Sequence, residues 1–118
     1  MTQNIVIPRR QSEITQEVTI TDTYTMKVGD RSIIADLASA KALTLPPVRE
    51  SAGHVFSIFG LDVTDHAVTI TENSEDVIPK NLLKGTDRSA TYALNTDGDY
   101  AILYSDGFHW HLIASNTA

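Results

Sequence analysis

Between residues 13 and 28 the chain alternates strictly. The even positions read Ile14, Gln16, Val18, Ile20, Asp22, Tyr24, Met26 and Val28; the odd positions read Glu13, Thr15, Glu17, Thr19, Thr21, Thr23, Thr25 and Lys27. Every odd residue is polar and most even ones are apolar. A repeat of two sends successive side chains to opposite faces, so the segment is extended, with one face turned to a core. Asp22 breaks the apolar face and marks a turn between two strands. A segment that alternates this way needs partner strands, and the rest of the sequence supplies them.

Gly29-Asp30 reads as a turn, Ser32 to Ala35 as a short strand, and Asp36 to Lys41 as a loop of small residues. Ala42-Leu43-Thr44-Leu45 alternates again and stops at Pro46-Pro47, since neither proline has an N–H for a ladder. Val48 to Gly53 is expected to form one helical turn, and no helix beyond about two turns is expected anywhere. His54 to Phe59 reads as a buried strand, Gly60 to Asp65 as a turn, and Ala67 to Thr71 as a strand with Val68 and Ile70 inward. Val77-Ile78 reads as a short strand and Asn81 to Ser89 as a polar loop around Gly85. Ala90 to Leu94, Tyr100 to Tyr104 and His109 to Ile113 read as three strands separated by Asp97-Gly98 and Asp106-Gly107. Asp-Gly supplies the positive φ of tight hairpins, so these strands are predicted to form a meander. Short strands at this spacing predict an all-β fold, an antiparallel β-sandwich or a barrel-like relative of one.

The 118 residues suit one domain with one core. Threonine, present 14 times, fits the wet side of a sheet. There is no cysteine, so neither a disulfide framework nor a thiolate metal site exists. The net charge of −6, with basic residues scattered apart from Arg9-Arg10, argues against nucleic acid as a partner. No apolar run approaches membrane-spanning length. MTQNIVIPRR lacks the positive start and continuous apolar stretch of a signal peptide, so synthesis in a cytoplasm without a cleaved signal is expected.

The first residues stand apart. Asn4-Ile5-Val6-Ile7-Pro8 is a small apolar segment, followed by the polar break Arg9-Arg10-Gln11-Ser12. The division expected is an N-terminal arm over 1–12 and a β-sandwich domain over 13–118. Ile5, Val6, Ile7, Arg9 and Arg10 are the candidate partner-binding residues. Such a segment either adds a strand to its own sheet or lies across a neighbouring chain.

Other candidates weigh less. His109 and His111 are predicted on one face of a strand with Trp110 on the other, and two imidazoles fall short of the three or four ligands of a zinc site even if His54 and His66 are counted as possible additions. Asn95-Thr96-Asp97-Gly98-Asp99 places its glycine too early for a calcium loop and lacks the distal glutamate; Asp62 and Asp65 read as solvated acids. No Gly-x-Ser-x-Gly, phosphate loop or His-Glu-x-x-His is present, so no enzyme and no cofactor are expected. Tyr92, Tyr100, Tyr104 and Trp110 take the inward parity of their strands, whereas Phe108 falls at a hairpin tip and is the candidate surface contact.

From residue 42 onward the motifs follow a definite order: Leu45-Pro46-Pro47, Ala52-Gly53, the apolar strand His54 to Phe59, Val68 to Thr71, Tyr92 to Leu94, and the hairpin Ser105 to Trp110. This order resembles a β-rich module of tailed-bacteriophage structural proteins, found in capsid decoration proteins and in parts of tail fibres. The resemblance covers about the last two-thirds of the chain. It implies a scaffold with an assembly surface and no catalytic residues. It implies a decoration protein on the capsid exterior of a virion, with the major capsid protein and other copies of itself, as a homotrimer, for partners. A tail fibre, collar or head–tail component is the alternative within the same class, and a small carbohydrate-binding attachment module is the alternative outside it.

Overall fold

The protein is described by a computed structural model over residues 17–76 and 80–116. Within these residues the chain is nearly all strand: β1 (Glu17–Ile20), β2 (Tyr24–Thr25), β3 (Ser32–Asp36), β4 (Lys41–Thr44), β5 (Val55–Asp62), β6 (Val68–Thr71), β7 (Leu82–Lys84), β8 (Asp87–Ser89), β9 (Thr91–Leu94), β10 (Tyr100–Ser105) and β11 (Trp110–Ser115). A 3-10 turn, Arg49–Ser51, occupies the place where one helical turn was expected. The predicted strand Val77-Ile78 and the arm 1–12 lie outside the described residues.

The strands form a seven-stranded sheet in the order β1-β3-β5-β10-β11-β7-β8 and a four-stranded sheet in the order β2-β4-β6-β9. The chain changes sheet after each of its first five strands. As a result β1, β3 and β5 pair in parallel in one sheet, and β2, β4 and β6 pair in parallel in the other. Antiparallel pairing begins with β7 and β8 and continues where β9 joins β6 and β10 joins β5 and β11. The expected antiparallel arrangement is thus corrected to two mixed sheets. Parallel neighbours need a crossover, and here each crossover is itself a strand of the opposite sheet. One apolar face per strand satisfies either arrangement, so alternation alone does not separate them.

Two more expectations change. Asp97-Gly98 does not close a hairpin: β9 and β10 belong to different sheets, and only β10 and β11 form the predicted hairpin. The loop between them is built on its own carboxylates. Asp97 Oδ1 accepts from the N–H groups of Val63 and Thr64, and Asp99 Oδ2 from those of Asn95 and Thr96. Residues 81–89, read as a loop, contain the β7–β8 hairpin, which turns at Gly85 with φ +64°. β5 also runs past the expected turn at Gly60. That glycine lets Val63 fold back onto the strand, because a Cβ there would sit 2.7 Å from Val63 Cγ2.

The two sheets enclose one core. Ile33, Phe56, Ile58, Leu103 and Trp110 come from the larger sheet, and Leu43, Val68, Ile70 and Leu94 from the smaller. Each such side chain contributes about 1.5–3 kcal/mol when withdrawn from water. Phe56 and Trp110 meet edge to face with centroids 5.5 Å apart, and Arg31 and His54 close over the same Phe56 ring. The register fixes which loops share an end. Glu17 lies level with Ser32 and Ser57, Val55 with Tyr104, and Ser105 with Trp110 and then Leu82. The start of β1, the start of β5 and the β10–β11 turn are therefore at one end of the larger sheet.

Candidate interaction surface

The β10–β11 turn is held by its first residue. Asp106 Oδ1 accepts from the N–H groups of Phe108 and His109 at 2.7 Å each, and Oδ2 lies 2.8 Å from His111 Nε2. Burial opposes ionisation of this carboxyl, but the bonds from His111 and from the two backbone N–H groups outweigh it and hold the group at about 2. Gly107 takes φ +94° and donates its N–H to Ser105 Oγ. Ser105 is fully buried and donates in turn to the Val48 carbonyl at 2.7 Å, tying the turn to the β4–β5 connection. Phe108 stands on this fixed turn with 67% of its surface exposed. A mobile tip can bury its phenyl ring when free; this one presents it.

From the turn an aromatic row leads onto the outward face of the larger sheet. The His109 and His111 rings are 6.3 Å apart and the His111 and Tyr104 rings 6.2 Å apart. Tyr104 is level with Val55, Ile102 with Ser57, and Tyr100 with Phe59, which continues to Ile34. Val55, Phe59, Leu61 and Tyr100 are exposed, as is Ile113, which bulges out where the β10–β11 register shifts. Scattered exposed apolar residues need no explanation, but a contiguous face of them marks a contact.

Measured against the sequence, Phe108 is placed as expected, at the tip and exposed. Ile5, Val6, Ile7, Arg9 and Arg10 lie outside the described residues. Trp110 is fully buried and Tyr92 packs against the core, as their parity predicted. Tyr100 and Tyr104 are corrected: Ala101 and Leu103 hold the inward positions of β10 and the two tyrosines point outward. Both parities of that strand are apolar, and the small Ala101 fits under the opposite sheet where a tyrosine does not. The outward row of Val55, Phe59, Leu61 and Ile113 was missed. Its signal was present in the run Val55-Phe56-Ser57-Ile58-Phe59, apolar on both parities.

The remaining candidates are spread over the molecule. His66 lies at the far end with Asp62, Nε2 to Oδ1 at 2.7 Å, and His54 stacks on Phe56. Among the described residues no three His, Asp or Glu side chains converge as a metal site. Asp97 and Asp99 spend their oxygens on loop N–H groups, and the bonds from Val63, Thr64 N–H and the Thr64 side chain lower the Asp97 carboxyl below its ordinary value. No protein-family model and no curated protein matches the chain.

Proposed function

We propose that this chain is a non-enzymatic structural subunit of a tailed-phage particle, a decoration protein on the outer capsid. In this reading a β-sandwich body is anchored by an extended arm over residues 1–12 and meets the major capsid protein through Ile5, Val6, Ile7, Arg9, Arg10 and Phe108. The observation that carries it is the rigid turn that displays Phe108 at the same end of the larger sheet where the chain enters β1. An aromatic ring displayed on a fixed turn suits a protein contact, whereas a substrate site is concave. The order of motifs over residues 42–113 supports the phage assignment.

Charge supports an arm that works differently from the body. From Glu17 onward the chain carries seven basic and fourteen acidic side chains, while residues 1–16 carry Arg9 and Arg10 against Glu13 alone. A weakly basic segment on an acidic body steers towards acidic surfaces that the body itself repels. The test is a paired measurement on the chain lacking residues 2–12: its melting temperature and its copy number on particles. The expected result is an unchanged melting temperature with copy number reduced at least tenfold. Unchanged copy number sinks the anchoring role. A much lower melting temperature assigns the segment to the chain's own sheet. High copy number on wild-type particles separates a decoration protein from a collar or fibre component, which occurs in few copies.

The exposed Phe108 and Tyr100 rings favour one other reading, a carbohydrate-binding attachment module, because sugar rings stack on such faces. Binding on a glycan array that is lost in Phe108→Ala selects it.

A further inference from the structure

We infer that the outward face of the seven-stranded sheet is covered by a second copy of the same chain, laid face to face about a two-fold axis. This goes beyond attachment to a shell and does not depend on it.

The first ground is in the two central strands. β5 turns Phe56 and Ile58 into the core, yet its other parity carries Val55 and Phe59. β10 turns Ala101 and Leu103 inward, yet Tyr100, Ile102 and Tyr104 face out. A strand with one wet face alternates apolar with polar; a strand covered on both faces reads as a continuous apolar run. β5 and β10 read as the second kind. Among the described residues only one face of the larger sheet is covered, the one against the smaller sheet.

The second ground is size. Seven strands about 4.8 Å apart, averaging about five residues at 3.3 Å each, give a face of roughly 550 Å² per copy. Two such faces total roughly 1,100 Å², which clears the roughly 1,000 Å² expected of a specific interface and exceeds casual contacts.

The third ground names the occupant. Along one edge of the face Glu17, level with Ser32 and Ser57, shares the outward parity of Ile34. Along the other edge Arg88, whose Nε also donates to the Lys80 carbonyl at 3.5 Å, pairs with Leu83, which pairs with His111, so Arg88 shares the outward parity of His111 and brings its positive charge to that edge. A two-fold axis through the middle lays the acidic edge of each copy over the Arg88 edge of the other, twice, around an apolar centre. A face with an acidic edge, a basic edge and an apolar middle is self-complementary in this arrangement.

The test is sedimentation equilibrium on the full chain from micromolar to millimolar concentration, with circular dichroism and thermal melts as the check on folding. The wild type is expected to form dimers. The pair Phe59→Asp with Tyr100→Asp is expected to weaken association at least a hundredfold. Because two new carboxylates on one sheet risk misfolding, a charge series stands beside them. Arg88→Glu alone is expected to weaken the dimer several-fold, and Arg88→Glu combined with Glu17→Arg to restore it. A chain that stays monomeric at millimolar concentration overturns the inference, as does a trimer, or a dimer indifferent to both sets of variants. So does a monomer that dimerises only when residues 1–16 are deleted, since that result gives the face to the chain's own N-terminal segment. Particle binding is not read, so failure here leaves the anchoring role untouched.

Discussion

Asp106 Oδ2 and His111 Nε2 face each other at 2.8 Å across the β10–β11 turn, while the other oxygen of Asp106 holds the turn's backbone. The carboxyl sits at about 2 in the folded chain against 3.8 for an unperturbed aspartate. A folded value below the unfolded one means that the folded state prefers the ionised form. The stabilisation is complete above about pH 4 and is lost as pH falls through 4 towards 2. Asp106→Asn should therefore flatten the acid limb of the stability curve in that window. At neutral pH the side chain's exposure screens the effect, and the cost should not exceed about 1 kcal/mol. Chemical denaturation of both proteins from pH 7 to pH 2 measures it.

At high pH a different pair takes over. Tyr24 donates to Asp30 Oδ2 at 2.6 Å, and the same oxygen accepts from the Lys27 N–H. The bond to Asp30, partial burial and the carboxylate's charge push the phenol up to about 12. The folded state therefore keeps the proton longer than the unfolded state. The stability due to this contact is complete below about pH 10 and is lost as pH rises from there through 12. Ultraviolet titration should show a late Tyr24 step near pH 12. That step should vanish in Tyr24→Phe, at a cost of about 1–2 kcal/mol for leaving Asp30 short of a donor.

Gly60→Ala is expected to destabilise by about 1–3 kcal/mol, the usual penalty for overpacking a tight site. The new methyl would press on Val63, which is fully buried, and approach the Asp99 carbonyl at 3.4 Å. That carbonyl already accepts the Gly60 N–H. Adding Val63→Ala should recover part of the loss if the clash is its cause, and thermal melts of the single and double variants decide this.

Ser105→Ala removes the donor to the Val48 carbonyl and the acceptor for the Gly107 N–H in a site closed to water. The expected cost is about 1–3 kcal/mol. Phe108→Ser, on the same turn but facing solvent, should change stability by no more than about 0.5 kcal/mol. If Phe108→Ser proves as costly as Ser105→Ala in urea denaturation, the ring packs on the protein and is not displayed.

Strand positions were legible because alternation is a local property. Glu17–Ile20, Tyr24–Thr25, the break at Asp22, and the stops at Pro46 and Gly107 all follow from neighbours in sequence. Which sheet a strand joins is not local. β9 and β10, separated by an Asp-Gly that fits a hairpin, go to different sheets: Asp97 ties the intervening loop to Val63 and Thr64, while Asp99 holds that loop's own Asn95 and Thr96 N–H groups. The outward face was hidden for a related reason. In Tyr100-Ala-Ile-Leu-Tyr both parities are apolar, and larger side chains were assigned to the core when the packing selected Ala101 and Leu103. Phe108 was legible, since a hairpin tip has nothing above it.

The alternation of the chain between sheets also sets an order on folding. Glu17 finds its partner 15 positions later at Ser32, Tyr24 finds Leu43, and Leu43 finds Ile70. Within the described residues, no ladder joins consecutive strands before β7 meets β8. During synthesis the first three turns of chain must therefore emerge without a hairpin to seed them, and their entropy of closure is paid before any contact rewards it. The β10–β11 hairpin is local, and β10 docks along β5, the innermost of the three parallel strands. β10 is the strand that links β1-β3-β5 to β11-β7-β8, so a nascent chain halted before Tyr100 has both parallel ladders in hand but lacks the strand that joins the two halves of the larger sheet.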